Sequence, residues 1–297
     1  MRPVSALVIY IVVVFFGGAL LAPWLWWLAQ TEAHAFPHIA GAPFHRFEHR
    51  AFLILALAGL WPLLKKLGAK SAGDLGVVMP YGQSKKFIGG LFLGFCSLAI
   101  VAGMAVAFAE RTIAPNLTAY KIIGTVFGAI VAAAVVAVLE EILFRGGIFG
   151  GLRRFLWWPF ALAISSALYA LVHFFEHAEL TGAVTWYSGL VLLPQMLRGF
   201  IDLHVLVPGF FNLTLVGILL GLAYQRTGNL YFSIGMHGGW IFWLKIYGTI
   251  TVATAPGVSW FWGSDKMIDG WLAFVVLAIT LFIFRFLPLQ KRSPFQI

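Results

Sequence analysis

Long apolar runs, separated by short polar or glycine-containing segments, dominate the chain. A run of roughly 20 apolar residues suits a helix that crosses a bilayer. Eight such segments lie near residues 5–29, 51–64, 87–109, 122–144, 156–175, 204–224, 229–248 and 270–287. The pattern therefore predicts an all-α fold, a polytopic membrane helical bundle of about eight transmembrane helices.

Two stretches depart from a simple span. The second segment is short and contains Pro62, which predicts an interruption of that helix. A further apolar stretch around Leu190–Leu197 favours an interfacial or re-entrant helix. Since no Ser-rich or Pro-rich linker and no internal repeat divides the chain, we expect residues 1–297 to form a single integral membrane domain.

Composition agrees with a membrane setting. Hydrophobic residues make up 61% of the chain and charged residues 10%, with a mean hydropathy of +0.92. With both termini in the cytoplasm, the inner segments hold eleven lysine and arginine residues and the outer segments six. This asymmetry explains the formal charge of +9 through topology and the lipid bilayer as partner, so no nucleic-acid partner is expected.

A polar cluster ends the apolar run that begins near Ile122. Glu140 and Glu141 are adjacent, and Arg145 follows them within one turn. Ionisable residues at membrane depth are costly, which makes them candidates for a functional site. On a helix Arg145 pairs with Glu141, and Glu140 lies on a different face, where it can bind water.

Two histidines in later apolar segments are candidates to meet this cluster. The midpoint between Glu140 and His173 falls at residues 156–157, where a hairpin turn would place both side chains at the same depth. His237 lies among small residues in a later span, at a depth compatible with the same layer. We therefore expect Glu140, His173 and His237 to surround one polar cavity.

These motifs resemble the CPBP family of membrane proteases, which includes type II CAAX prenyl endopeptidases and bacteriocin-processing or immunity proteins. The motifs are Glu140-Glu141-x-x-x-Arg145, Tyr169-x-x-x-His173 and the late His237. The resemblance covers roughly residues 120–250, which it marks as a CPBP-like catalytic core. It implies an intramembrane endopeptidase of the prokaryotic inner (cytoplasmic) membrane, with a membrane-associated protein or peptide substrate, prenylated and CAAX-type in one branch.

The resemblance also implies roles for the five residues. Glu140 activates a water, Glu141 and Arg145 hold the site, and His173 and His237 assist. No cofactor is expected, because the sequence has no dedicated ligand set with an unambiguous zinc spacing. Zinc is the alternative, with Glu140, His173 and His237 as ligands, since carboxylates and imidazoles suit that metal.

Two positions depart from the family pattern. Tyr169 stands where the family usually has Phe, and Ile241 stands where it usually has Asn or Asp. An Asn there can donate a hydrogen bond to the tetrahedral oxyanion, whereas Ile cannot. Candidate replacement donors are His237, Trp240 and Asn212, and Ile241→Asn is expected to raise the cleavage rate if none of them substitutes.

Other interpretations of the same residues stay open. The Glu-Glu-Arg cluster also fits an interfacial salt bridge that stabilises topology, and each histidine also fits a packed core position. The string His173–His177 matches the inverted zinc-protease pattern, His-x-x-Glu-His. His34, His38, His45 and His49 are expected in an outer loop. The alternative function is a non-catalytic membrane immunity or transport protein that uses the polar cluster for binding.

Overall fold

A computed structural model describes residues 3–176, 178–255, 257 and 259–289. Its α-helices are α1 (Pro3–Val12), α2 (Gly18–Thr31), α3 (Pro37–Ala40), α4 (Phe44–Lys66), α5 (Ser84–Ala107), α6 (Ala119–Glu140), α7 (Gly150–Leu152), α8 (Trp158–Val172), α9 (Ser188–Met196), α10 (Leu203–Thr227), α11 (Tyr231–Ile250) and α12 (Trp271–Phe286). Two π-helical segments, Val13–Gly17 and Glu141–Phe149, and two 3-10 turns, Ala72–Leu75 and Leu197–Phe200, join or extend these helices. Strands β1 (Arg111–Ile113) and β2 (Thr251–Ala253) pair antiparallel.

Several of these helices are long and apolar enough to cross a membrane. Among the described residues five segments meet that condition: Ser5–Thr31, Phe44–Lys66, Ser84–Ala107, Ala119–Leu152 and Leu203–Thr227. Trp158–Val172 and Trp271–Phe286 are shorter apolar helices. The predicted helical membrane bundle is confirmed, and the protein is an integral membrane protein. The number of eight spans stays a prediction.

The described residues group into two compact units. One comprises residues within Met1–Lys70 and His173–Asp202, and the other comprises residues within Ser71–Val172 and Leu203–Ile297. Glu140, Glu141 and His237 belong to the second unit. The single membrane domain over residues 1–297 stays a prediction.

The first unit is built on α2, α4 and the short α9. Its buried core consists of small and apolar side chains: Ala22, Phe44, Ala51, Ala178, Leu192 and Met196. Gly189 of α9 lies directly against the Ala19 carbonyl of α2, so the two backbones approach closely there. The short helix expected around Leu190–Leu197 is thus present and is packed against α2.

Helix α4 corrects two expectations. It runs unbroken from Phe44 to Lys66 although it contains Pro62, because a proline near the end of a transmembrane helix costs little beyond one backbone hydrogen bond. His45 and His49 therefore lie on α4, and the expectation that they line an outer loop is wrong.

The second unit is organised around α11, which packs against α5 along a seam of glycines. Each helix carries a Gly-x-x-x-Gly pair, a spacing that lets two helix backbones approach closely. The glycines are Gly90 and Gly94 on α5 and Gly235 and Gly239 on α11. Gly90 and Gly94 face the backbone carbonyls of Phe232 and Met236, the residue that precedes His237. The seam therefore sets the position of the histidine.

Polar contacts reinforce the same pair of helices. The Trp240 indole of α11 donates to Ser97 Oγ of α5 at 2.8 Å, and Ser97 in turn donates to the Gly94 carbonyl at 2.8 Å. Beyond the helix ends, β1 pairs with β2, and Arg111 binds Thr251 and stacks 4.5 Å over the Tyr247 ring. The ribbon connects the ends of α5 and α11.

The glycine seam predicts opposite outcomes for two Gly→Ala substitutions on α5. A Cβ at Gly94 would overlap the Met236 carbonyl, whereas a Cβ at Gly103 would have no atom within 4 Å. We expect Gly94→Ala to destabilise the protein by about 1–3 kcal/mol through overpacking. Gly103→Ala should be neutral or stabilising by up to about 1 kcal/mol, because Ala is the better helix former.

Thermal unfolding of the two variants in one detergent measures this difference directly. Equal transition temperatures for Gly94→Ala and Gly103→Ala would contradict the close approach of α5 and α11.

Candidate active site

The two glutamates lie where the backbone changes from α-helix to π-helix. Helix α6 ends at Glu140, and the π-helical segment Glu141–Phe149 continues the chain to α7. Such wide turns are rare and often occur at functional sites. Two contacts hold this one in place: Gly146 packs on the Leu75 carbonyl, and Ser165 of α8 donates to the Phe144 carbonyl at 3.3 Å.

The turn predicted at residues 156–157 is confirmed, since it lies between α7 and the start of α8 at Trp158. The two arginines of this turn, Arg153 and Arg154, contact neighbouring side chains. Arg153 donates to Gln225 at 2.6 Å and stacks 4.6 Å over the Tyr224 ring, and Arg154 lies 4.0 Å from Asp74.

Glu141 and Arg145 form a buried ion pair. Arg145 Nη1 lies 3.0 Å from Glu141 Oε1, and the two side chains are 2% and 0% exposed. The pair has the four-residue spacing that the sequence indicated. A carboxylate this deep requires a compensating cation, because isolated charges are very costly in a low-dielectric interior.

His237 lies between the two glutamates. Its Nδ1 is 3.0 Å from Glu141 Oε1, and its Nε2 is 3.7 Å from Glu140 Oε2. An ionised carboxylate only accepts hydrogen bonds, so Nδ1 carries the hydrogen that binds Glu141. The other ring nitrogen of His237, Nε2, faces Glu140.

Tyr169 of α8 completes the cluster. Its hydroxyl is 3.3 Å from His237 Nε2, and its ring lies under the Arg145 guanidinium at 4.4 Å. The sequence indicated this residue only as a departure from the family's phenylalanine. Its hydroxyl is the functional group that sequence reasoning missed, and that departure was the signal that could have identified it.

Ile241, one turn after His237, is part of an apolar contact. It is buried against Ala133 and Ala137 of α6. Two of the proposed replacement donors are engaged elsewhere: the Trp240 indole binds Ser97, and the Asn212 amide nitrogen binds the carbonyls of Ile268 and Gly270 at 2.8 and 2.9 Å.

His173 belongs to the first unit, immediately after the end of α8 at Val172. Its participation with Glu140 and His237 stays a prediction. The inverted zinc-protease interpretation needs a helix through His173 and His177. Residues 173–176 lie in a turn and an extended segment, which does not supply that helix face, and His177 lies outside the described residues.

The site was also assessed for zinc. Within the described ranges, no three His, Cys, Asp or Glu side chains are grouped as metal ligands. Around His237 the second unit supplies one imidazole and two carboxylates, and Glu141 already binds Arg145. The described donor set thus falls short of the three protein ligands typical of a catalytic zinc site.

Glu48 of α4 is a second buried carboxylate, and the sequence analysis did not identify it. Its side chain is 0% exposed, and among the described residues neither oxygen makes a hydrogen bond. The apolar segment predicted from the sequence begins at residue 51, after Glu48. Helix α4 begins earlier, at Phe44, and so includes Glu48.

Comparison with known proteins bears on this cluster. Residues 122–243, which include Glu140, Glu141, Arg145, Tyr169 and His237, match the family model described as type II CAAX prenyl endopeptidase Rce1-like. The match bears out the predicted resemblance to the CPBP family over this segment. It indicates protease activity of the CAAX type. No curated protein and no solved structure matches the chain.

The buried ion pair predicts strong coupling between its two residues. Arg145→Met leaves Glu141 charged and uncompensated, and we expect it to lower the free energy of unfolding by about 3–5 kcal/mol. Adding Glu141→Gln should recover most of that loss, because a neutral amide needs no cation and its oxygen still accepts from His237. Unfolding of the single and double variants in mixed micelles measures the coupling. A double variant no more stable than Arg145→Met would show that the ion pair contributes little.

Proposed function

We propose that this CPBP-family protein is a glutamate-dependent intramembrane endopeptidase. Its substrate is a membrane-associated protein or peptide, and the CAAX-type C-terminus with a prenylated cysteine is the class that the family favours. The setting is the prokaryotic inner membrane, with both termini in the cytoplasm. One observation carries the proposal: His237 contacts Glu141 through one ring nitrogen and faces Glu140 with the other.

The geometry suits the activation of a water by Glu140. Oε2 of Glu140 and Nε2 of His237 are 3.7 Å apart, so one water can donate a hydrogen bond to each at an ordinary distance of about 2.8 Å. Glu141 fixes the tautomer that makes Nε2 an acceptor. Gly238 adds room beside the histidine, since a Cβ there would have only the Ala133 carbonyl near it, at 4.0 Å.

Hydrolysis then follows from the roles of three residues. Glu140 takes one proton from the water while Nε2 of His237 accepts the other hydrogen and orients the molecule. The water oxygen attacks the scissile carbonyl and forms a tetrahedral intermediate with a negatively charged oxygen. Glu140 returns its proton to the leaving amine as the C–N bond breaks. Arg145 pairs with Glu141, which holds the imidazole of His237 in place through Nδ1.

Two polar atoms next to this arrangement support bound water. Oε2 of Glu141 and Nη2 of Arg145 are buried and make no hydrogen bond among the described residues. Buried polar groups of this kind are commonly satisfied by ordered water. Water is therefore expected at the place where the proposed reaction consumes it.

Glu140→Gln is the direct test of the proposal. The amide keeps the size of the side chain but cannot take a proton, so we expect cleavage to fall by about 10²–10⁴-fold. The assay uses purified protein in liposomes and quenched fluorescent peptides that end in a farnesylated cysteine followed by three residues, alongside unprenylated membrane-anchored peptides.

Glu32→Gln is the matched control, because Glu32 is exposed and distant in sequence from the cluster. It should cleave as the unmodified protein does. If Glu140→Gln retains full activity, or the unmodified protein cleaves none of the peptides, the cluster serves binding or transport instead, as in the non-catalytic alternative.

We also expect cleavage to survive the removal of zinc, because a water held by Glu140 and His237 needs no metal-bound hydroxide. The reconstituted protein is dialysed against a strong chelator, and its metal content and cleavage rate are measured on the same sample. Activity that disappears with stoichiometric zinc and returns when zinc is added would establish the metal-dependent alternative.

A further inference from the structure

Tyr169 has a functional group that the family pattern does not place at its position. The family's second motif usually begins with phenylalanine, which lacks this hydroxyl. The side chain is 2% exposed, and the hydroxyl lies 3.3 Å from His237 Nε2. A polar group that the family does without is thus directed at the histidine proposed to hold the water.

The ring of Tyr169 is held on three sides. The Arg145 guanidinium lies over it at 4.4 Å, Phe144 meets it edge-on at 5.0 Å, and the His237 imidazole meets it edge-on at 6.2 Å. A phenol ring fixed in this way has little freedom except rotation of the O–H bond. The hydroxyl is therefore preorganised, which is the property that an electrostatic catalyst requires.

The tautomer of His237 decides what this hydroxyl does at rest. With the Nδ1 hydrogen bound to Glu141, Nε2 has one lone pair, which accepts from the Tyr169 O–H when no water is bound. When the attacking water takes that lone pair, the Tyr169 O–H is released from the histidine. A donor that lies beside the attacking water is available to a new acceptor once charge develops on the substrate oxygen.

A second departure from the family pattern makes such a donor necessary. At Ile241 the chain lacks the usual Asn or Asp, and the isoleucine packs against Ala133 and Ala137 of α6. Trp240 and Asn212 already donate to other groups. The Tyr169 hydroxyl lies beside His237 Nε2, and it is the donor that we assign to the oxyanion.

We propose that Tyr169 is a catalytic residue whose hydroxyl donates a hydrogen bond to the tetrahedral oxyanion, in place of the side chain that the family carries at position 241. The two departures thereby compensate each other: a donor is lost from α11 and another is gained on α8. This inference rests on the proposed peptidase function and adds a residue to it.

Tyr169→Phe tests the inference, because it removes the hydroxyl and restores the family's usual residue. We expect kcat for the farnesylated peptide to fall by about 10²–10³-fold, the usual effect of losing one oxyanion donor, with KM nearly unchanged. Tyr224→Phe is the matched control. Tyr224 is also buried, and its hydroxyl makes only a long contact of 3.5 Å with the Asp74 carbonyl.

A second readout separates catalysis from packing. A phosphinate isostere of the scissile bond mimics the tetrahedral intermediate, so it should bind Tyr169→Phe more weakly by about the factor lost in kcat/KM. Binding of the uncleaved peptide, measured with the Tyr169 variant combined with Glu140→Gln, should be unchanged. A structural role would weaken both ligands alike or lower the thermal transition, and either outcome would overturn the proposal.

The compensation is tested by a double-mutant cycle with Ile241→Asn. Ile241→Asn alone should change kcat little. In the Tyr169→Phe background the same substitution should raise kcat at least tenfold. Absence of recovery in a folded double variant would overturn the exchange of donors, and if that variant does not fold, the phosphinate measurement decides.

The two levels of the proposal fail differently. If Glu140→Gln abolishes cleavage but Tyr169→Phe retains kcat within threefold, the peptidase stands and the role of Tyr169 is rejected. If the unmodified protein cleaves none of the peptides, the proposed function itself is rejected, and the role of Tyr169 with it.

Discussion

The need to neutralise Glu141 inside the protein governs the site. This carboxylate is fully buried, and Arg145 lies 3.0 Å from it on the same helical stretch. With its charge compensated, Glu141 can accept the Nδ1 hydrogen of His237 and so determine which ring nitrogen faces Glu140. The cation also stacks on Tyr169 and fixes its ring. One ion pair therefore contacts both His237 and Tyr169 and holds their rings in place.

The ion pair acts only because packing places His237 accurately. At the glycine seam the backbones of α11 and α5 are so close that no side chain fits between them. On its other side α11 packs against α6 through Ile241, which contacts Ala133 and Ala137. In a membrane such van der Waals complementarity replaces the hydrophobic effect as the force that associates helices. Ile241 therefore contributes to the packing of α11 on α6.

Much of the site's organisation could be predicted from sequence. The spacing of Glu141 and Arg145, and the hairpin turn before Trp158, follow from local rules and agree with the structure. The π-helical segment could not be predicted, because its pitch depends on Gly146 packing against a distant carbonyl rather than on its own composition. Likewise, hydropathy placed Glu48 outside a span since α4 begins with polar residues. The joint position of His173 with Glu140 depends on the arrangement of the two units and stays a prediction.

Three kinds of contact hold α11 in place. The glycines hold its middle, the Trp240 indole ties it to Ser97, and β2 extends directly from its end into a ribbon with β1. Axial rotation of this helix would break all three at once. Helix α6 and its extension are less enclosed than α11, since only 17% of the residues in their most apolar stretch are buried. Helix α11 is thus more firmly held than α6, and the imidazole of His237 shares the fixed position of α11.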